Sequence, residues 1–229
     1  MATNEQVYQT EVDAYEYMIS RQPDLTKYIN EIQPFKGMDI LDLGAGSGRF
    51  ACSLAKQAKS MICTDKSESM LKLLERKLKK QGLNRNWKTY VADHRELPIK
   101  DKSIDIVISG WSVSYLAYTG NENWKENLEQ VISEMIRVLK PGGTIILFET
   151  MGTGTELPDP PEYLIPYFSA LTQQYGFNHR WVRADYEFST SEEAKEGMEF
   201  FFGEELVKKI VENQWSTVPE CAGIWWKHF

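Results

Sequence analysis

The sequence predicts a doubly wound α/β fold, and three observations carry that prediction. Short apolar runs recur along the chain, amphipathic helical stretches separate them, and glycine or Pro-Gly punctuation stands where the two kinds of element meet. The runs "MDILDL", "SMICT", "WKTYVA", "IDIVIS" and "TIILF" are rich in Ile, Val and Leu without polar alternation. Strands buried on both faces have this composition.

Taken in order, residues 13–31 read as helices lying ahead of the first strand. "RFACSLAKQA" follows that strand as a helix. "SESMLKLLERKLKKQG" places Leu71, Leu74 and Leu78 on one face and stops at Gly82, and "NWKENLEQVISEMIRVLK" runs to Pro141-Gly142-Gly143. Repeated strand-helix alternation implies right-handed crossovers and a parallel sheet covered on both faces. The remainder differs: "PDPPEYLIPYFSALTQQYGF" is Pro-rich and then helical, "NHRWVRADYEF" has strand character, "SEEAKEGMEFFFGEELVKKIVEN" is helical with a break near Gly203, and "AGIWWKHF" closes as a strand. The expected architecture is a mostly parallel seven-stranded sheet with helices on both faces and an antiparallel edge strand from the C-terminal segment. No linker divides the chain, so 1–229 is expected to be one domain, with leading helices over 1–36, a core over 37–149 and substrate-side and C-terminal sheet elements over 150–229.

At 229 residues, 42% of them hydrophobic, the chain can bury a sizeable core. A net charge of -7 and a pI near 5.2 argue against phosphate neutralisation as its main task, so no nucleic-acid partner is expected. Cys52, Cys63 and Cys221 are widely spaced and form no CxxC; they read as ordinary thiols in a reducing compartment. The polar N-terminus lacks an apolar leader core and no stretch reaches membrane-span length. A cytoplasmic protein, monomeric or homodimeric, is expected.

"DILDLGAGSGRF" carries the strongest chemical signal. A parallel strand runs into Gly44, Gly46 and Gly48 at the carboxyl edge of the sheet, where open α/β folds bind ligands. Glycines let a ligand lie directly on the main chain, and the helix that follows offers its N-terminal N–H groups. The spacing is DxGxGxG; Arg49 stands where a dinucleotide fingerprint requires glycine, which disfavours a nucleotide-dependent oxidoreductase. Asp65, about twenty residues on at the end of the second strand, is placed to accept from both ribose hydroxyls of a nucleoside, or to cap the helix starting near Ser67. Asp93 ends the third strand on the same edge, where its side chain can accept from an exocyclic amine.

These stretches, with "CTDKSESML", "YVADHRELPIKDKSIDIVISG" and "VLKPGGTIILFE", resemble in order the signatures of the class I S-adenosylmethionine-dependent methyltransferases, in the small-molecule branch related to ubiquinone and menaquinone methyltransferases. The resemblance spans residues 15–149 and implies S-adenosyl-L-methionine as cofactor and S-adenosyl-L-homocysteine as product. It implies that Asp42, Gly44, Ala45, Gly46 and Gly48 line the methionine part, that Asp65 holds the ribose, that Lys66 and Met70 flank the adenine, and that Asp93 faces its amine with His94 beside the ring. Ser109, Gly110 and Trp111 would meet the methyl end, and Tyr17 would fold over the cofactor. The chain departs from the nucleic-acid and protein-amide members at "SGWSVSY", where those carry Asn or Asp before Pro-Pro and an aromatic residue. It also departs from the quinone branch at His94 and at "SVSYLAY", so acceptor chemistry does not carry over.

A sulfonium methyl is already electrophilic, so catalysis asks chiefly for alignment and exclusion of water. A general base is needed only for a protonated acceptor. His94, Tyr115, Glu149 and His179 are the candidates, each with a structural alternative: packing beside the adenine, anchoring a loop, accepting a backbone N–H, or sitting on an edge strand. Trp111, Tyr115, Tyr118, Trp124, Tyr163, Tyr167, Phe168 and Phe177 fall in segments that overhang the binding edge, and they suggest a small, apolar or aromatic acceptor as well as ordinary cover for the sheet. No metal-ligand pattern stands in the sequence. A cofactor-binding protein without turnover is the alternative outside catalysis.

Overall fold

The computed structural model describes residues 11–83 and 85–229; the first part of the polar N-terminus lies outside the described residues. Helices α1 (Val12–Ile19) and α2 (Thr26–Ile32) precede the central strand β1 (Asp39–Leu43), and then come α3 (Ala51–Leu54), β2 (Ser60–Asp65), α4 (Glu68–Lys80), β3 (Trp87–Val91) and β4 (Ile104–Gly110). After α5 (Ser114–Ala117), α6 (Trp124–Val138) and β5 (Leu139–Thr153), the chain continues through α7 (Ile165–Ser169), β6 (Asn178–Arg183), β7 (Tyr186–Glu187), α8 (Ser191–Phe202), α9 (Glu204–Asn213), β8 (Thr217–Val218) and β9 (Glu220–His228).

Seven strands form one sheet in the order β3-β2-β1-β4-β5-β9-β6, parallel from β3 to β5. β9 runs antiparallel to both β5 and β6. The antiparallel strand therefore sits one place in from the edge and β6 is outermost. Strand order reverses between β1 and β4, and the crevice beyond their carboxyl ends is where this architecture binds ligands.

Strand periodicity sends successive side chains to opposite faces. Ile40, Ile106, Ile108 and Phe148 join α2, α3 and α4 on one side, while Leu41, Val107, Ile145 and Leu147 meet α6 and α7 on the other. α4 matches its predicted pattern: Leu71, Leu74 and Leu78 are buried, the Ser67 hydroxyl caps the Met70 N–H, and Gly82 follows in a left-handed conformation. The helix expected over residues 49–58 is shorter, because the turn before it is spent closing the glycine loop through the Gly48 N–H to Ala45 O bond. Pro141-Gly142-Gly143 also behaves differently from a plain helix stop. Leu139 already pairs with Ile104, and the register slips before Thr144 pairs with Ile106, so the motif is a bulge inside β5.

A third apolar cluster, including Met18, Phe188, Met198 and Ile210, joins α1 to α8 and α9. It is fastened at its rim by Arg21, 3.0 Å from Glu193 and 4.3 Å above the Tyr17 ring. This assembly brings Tyr15, Phe201 and Phe202 over the carboxyl edge of the sheet. No helix among the described residues is long and apolar enough to cross a membrane.

Candidate functional site

The chain leaves β1 through Gly44 and Gly46, both in the left-handed region at φ +74° and +52°. A Cβ on Gly44 would lie 1.9 Å from Ser112 Oγ, so the backbone there is pressed against the loop after β4. A Cβ on Gly46 would meet nothing, leaving room for a ligand directly above the main chain. The turn is held from below, with the Gly44 and Ala45 N–H groups donating to Thr64 O and the Ala51 N–H donating to Asp42 Oδ2 at 3.1 Å. Burial pushes the Asp42 carboxyl up to about 7. Asp65 holds the turn from the side: its Oδ2 accepts the Gly46 N–H at 2.9 Å and its Oδ1 accepts the Ser67 N–H at 2.8 Å. Burial raises the Asp65 pKa against the Ser67, Gly46 and Lys66 backbone donors, and a carboxylate has accepting capacity beyond those three.

Above the turn is a cavity of about 300 Å³. It is lined by Gly44, Gly46, Asp65, Lys66 and Met70 from β1, β2 and the segments after them, and by His94, Gly110, Trp111 and Tyr115 from β4 and the segments after β3 and β4. The structure thus brings together most of the residues expected at a nucleoside site. Asp42, Ala45, Gly48 and Ser109 lie beneath it instead of lining it. A Cβ on Gly48 would strike Leu74 at 2.4 Å, so that glycine serves helix packing, and the Ser109 hydroxyl donates to Leu43 O at 2.8 Å.

Two expectations are corrected. Asp93 does not face the cavity with a free carboxylate. Its Oδ1 accepts the Arg95 N–H and Nε, its Oδ2 accepts Arg95 Nη2, and Lys66 Nζ is 2.9 Å from Oδ2. Four donors occupy the lone-pair sites an amine would need, and they hold the carboxyl well below the usual range, Arg95 most of all. Tyr17 points into the helical cap, where its hydroxyl donates to Glu193; Tyr15, two residues earlier, lines the cavity in its place.

His94 is buried, with Nε2 bonded to Ser112 Oγ at 2.6 Å and Nδ1 without a partner. Burial lowers its pKa to about 4, so it is neutral at pH 7 and can give or take a single hydrogen bond at Nδ1.

A second cavity of about 720 Å³ shares Tyr15, Trp111 and Tyr115 with the first. Trp111 is the hinge between them: its backbone sits at φ +51°, its N–H donates to Phe148 O at 2.7 Å, and its ring lies 4.2 Å under the Arg49 guanidinium. Tyr118 and Tyr163 complete the aromatic wall foreseen in the sequence, whereas Tyr167, Phe168, Phe177 and Trp124 pack in the core behind β5 and β9.

Of the catalytic candidates, Tyr115 lines both cavities and His94 the first. Glu149 lines neither. It is buried, its Oε1 accepts the Ser114 N–H at 3.0 Å and the Tyr167 hydroxyl at 3.3 Å, and burial pushes its carboxyl up to about 7. It anchors α5, which carries Tyr115. His179 lies on the outermost strand, stacked 4.3 Å from Trp225, away from both cavities. Sequence reasoning missed Tyr15, Arg49, Ser112, Tyr186 and Glu220 as cavity residues. Glu220 had a visible signal, an acid directly preceding the apolar run "CAGIWW". Among the described residues, no three His, Cys, Asp or Glu side chains group as metal ligands would.

Comparison with known proteins agrees with this geometry. Residues 41–147 match the family described as a methyltransferase domain. The chain is 34% identical over 164 residues to phosphoethanolamine N-methyltransferase 1 of Triticum aestivum, covering 65% of this chain and 30% of that protein. It is 31% identical over 125 residues to demethylmenaquinone methyltransferase of Bacteroides fragilis, covering 54% and 47%. The chain thus spans less than half the length of either relative. Among solved structures, a SAM-dependent methyltransferase from Aquifex aeolicus superposes with a TM-score of 0.61 at 17% identity, over 93% of this chain and 95% of that one, and shows the same fold. Over residues 41–147 the chain matches the methyltransferase-domain family, and its fold is that of the solved methyltransferase structure.

Proposed function

We propose that this chain binds S-adenosylmethionine in the cavity at the glycine turn and transfers its methyl group to a small molecule seated in the adjoining cavity. The observation that carries the reading is the junction itself, where Trp111, Tyr115 and Tyr15 belong to both cavities, so that a donor in one and an acceptor in the other would meet across them. Asp65 accepts the ribose hydroxyls with the lone pairs its backbone bonds leave unused. Gly46 offers bare main chain to the amino-acid end, and Met70 and Lys66 flank the base. His94 Nδ1 supplies one further neutral hydrogen-bonding position.

The sulfonium supplies an electrophilic methyl group. What remains for the protein is to align the acceptor and keep water out, which the rings of Trp111 and Tyr115 do at the junction. Tyr115, on both cavities, is the group placed to hydrogen-bond an acceptor at the reacting end. The aromatic wall of the second cavity suits a small acceptor with an apolar or aromatic body, and the net charge of -7 supports a small molecule over a nucleic acid. The buried, free cysteines suit a reducing, cytoplasmic setting.

The test is product formation. Purified protein is incubated with S-adenosylmethionine carrying a labelled methyl group and a panel of small amines, phenols, quinols and thiols, and mass spectrometry follows both products. The reading expects acceptor-dependent S-adenosylhomocysteine, formed one for one with methylated product. Nucleoside binding that no acceptor converts into S-adenosylhomocysteine overturns it and leaves a binding protein without turnover.

A further inference from the structure

The second cavity contains a buried carboxyl group with one oxygen lacking a hydrogen-bond partner. Glu220, the first residue of β9, lines the cavity with only 1% of its surface exposed. The Thr150 hydroxyl donates to its Oε1 at 3.0 Å, and its Oε2 has no hydrogen-bond partner. Burial pushes the carboxyl up to about 7 against the Thr153 and Thr150 hydroxyls and the field of Arg49. Arg49 lines the same cavity but is committed elsewhere, donating to Gln22 and stacking over Trp111.

A buried carboxylate oxygen without a donor is costly, and a ligand that brings a donor relieves the cost. An anion would meet Glu220 as a like charge. A metal ion would need further ligands that no other grouped acid, His or Cys among the described residues supplies. An uncharged apolar group would leave Oε2 as it is. An ammonium brings N–H donors and the opposite charge together, and an aromatic lining that includes Trp111, Tyr115 and Tyr186 suits a cation's remaining surface.

Resting on the methyl-transfer reading above, we propose that the acceptor carries a basic nitrogen, held as an ammonium by Glu220 among the rings of Trp111, Tyr115 and Tyr186. The nitrogen is then a recognition handle that sets which small molecules enter.

Calorimetric titration at pH 7.5 tests this, first with S-adenosylhomocysteine alone and then, at saturation, with three probes sharing one aromatic body: 2-phenylethylamine, 2-phenylethanol and phenylacetate. The amine is expected to bind at least about tenfold more tightly than the alcohol, with phenylacetate weakest, since a charge-assisted bond separates them. Glu220→Gln should bring the amine to the level of the alcohol, with its own S-adenosylhomocysteine titration checking that the variant is folded. The comparison on the unmodified protein stands even where that variant fails to fold. S-adenosylhomocysteine binding with no preference for the amine, or with no amine binding at all, overturns this proposal alone. Absence of S-adenosylhomocysteine binding overturns the methyl-transfer reading beneath it as well.

Discussion

Asp65→Asn separates the two tasks that one carboxylate performs at the glycine turn. In the native turn both oxygens accept backbone N–H bonds, from Gly46 at 2.9 Å and from Ser67 at 2.8 Å. An asparagine offers one acceptor oxygen and one NH2, so one of those N–H groups must face another donor. Leaving one buried donor unsatisfied costs about 1–3 kcal/mol. For a chain of 229 residues, each kcal/mol lowers Tm by roughly 2–4 °C, so a fall of about 2–12 °C is expected. Ligand binding loses more than geometry, because hydrogen bonds to an ionised acceptor are worth about 1.5–3 kcal/mol each and every 1.4 kcal/mol is about tenfold in affinity. The loss of one such ribose contact predicts S-adenosylhomocysteine affinity reduced by about ten- to a hundredfold, read by calorimetry at a temperature where the variant is folded. A folded variant whose affinity stays within about twofold of the parent would show that Asp65 does not hold the nucleoside and that the turn, as described, is only structural.

Two further predictions follow from neighbouring positions. Gly44→Ala should lower Tm and reduce S-adenosylhomocysteine affinity by more than about tenfold, since a left-handed non-glycine costs about 1–2 kcal/mol and the new Cβ would displace the Ser112 hydroxyl that bonds His94. Gly82→Ala, at φ +78° with open space around it, is the control that should cost stability without affinity, and equal binding losses in the two variants would sink this reasoning. Glu149→Gln tests the buried anchor of α5. A carboxyl raised from 4.5 to about 7 stabilises the fold fully below about pH 4.5 and loses that contribution as pH rises through 7. The variant should therefore gain on the parent between pH 5 and 8, by at most about 3 kcal/mol. Denaturant titrations whose difference does not change across that range would refute the assignment.

Local pattern was enough for the elements that local physics decides. β1 is buried at all five positions because it is flanked by β2 and β4, and its Ile and Leu content announced this. α4 followed its leucine spacing from the Ser67 cap to Gly82. Long-range arrangement stayed hidden. Tyr15 displaced Tyr17 because the rotation of α1 is set by its packing on α8 and by the Arg21–Glu193 pair, residues far apart in the chain. Asp93 was lost to the nucleoside site through Arg95, only two residues away, whose side chain folds back onto it. Glu220 joined the second cavity because β9 threads between β5 and β6, setting Glu220 against Thr153 and within reach of Thr150. Half of the aromatic residues foreseen over the binding edge turned inward, since the face behind β5 and β9 needed cover.

On the proposed function, the cavity over Gly44, Gly46 and Asp65 holds the sulfur nucleoside of methyl transfer. Calorimetric titration of the purified protein with S-adenosylmethionine and S-adenosylhomocysteine, with nicotinamide dinucleotides as the control, tests it most directly. Saturable, one-to-one binding of the two sulfur nucleosides and none of the dinucleotides is the predicted result. Dinucleotide binding, or no binding of the sulfur nucleosides, would show that this cavity does not serve methyl transfer.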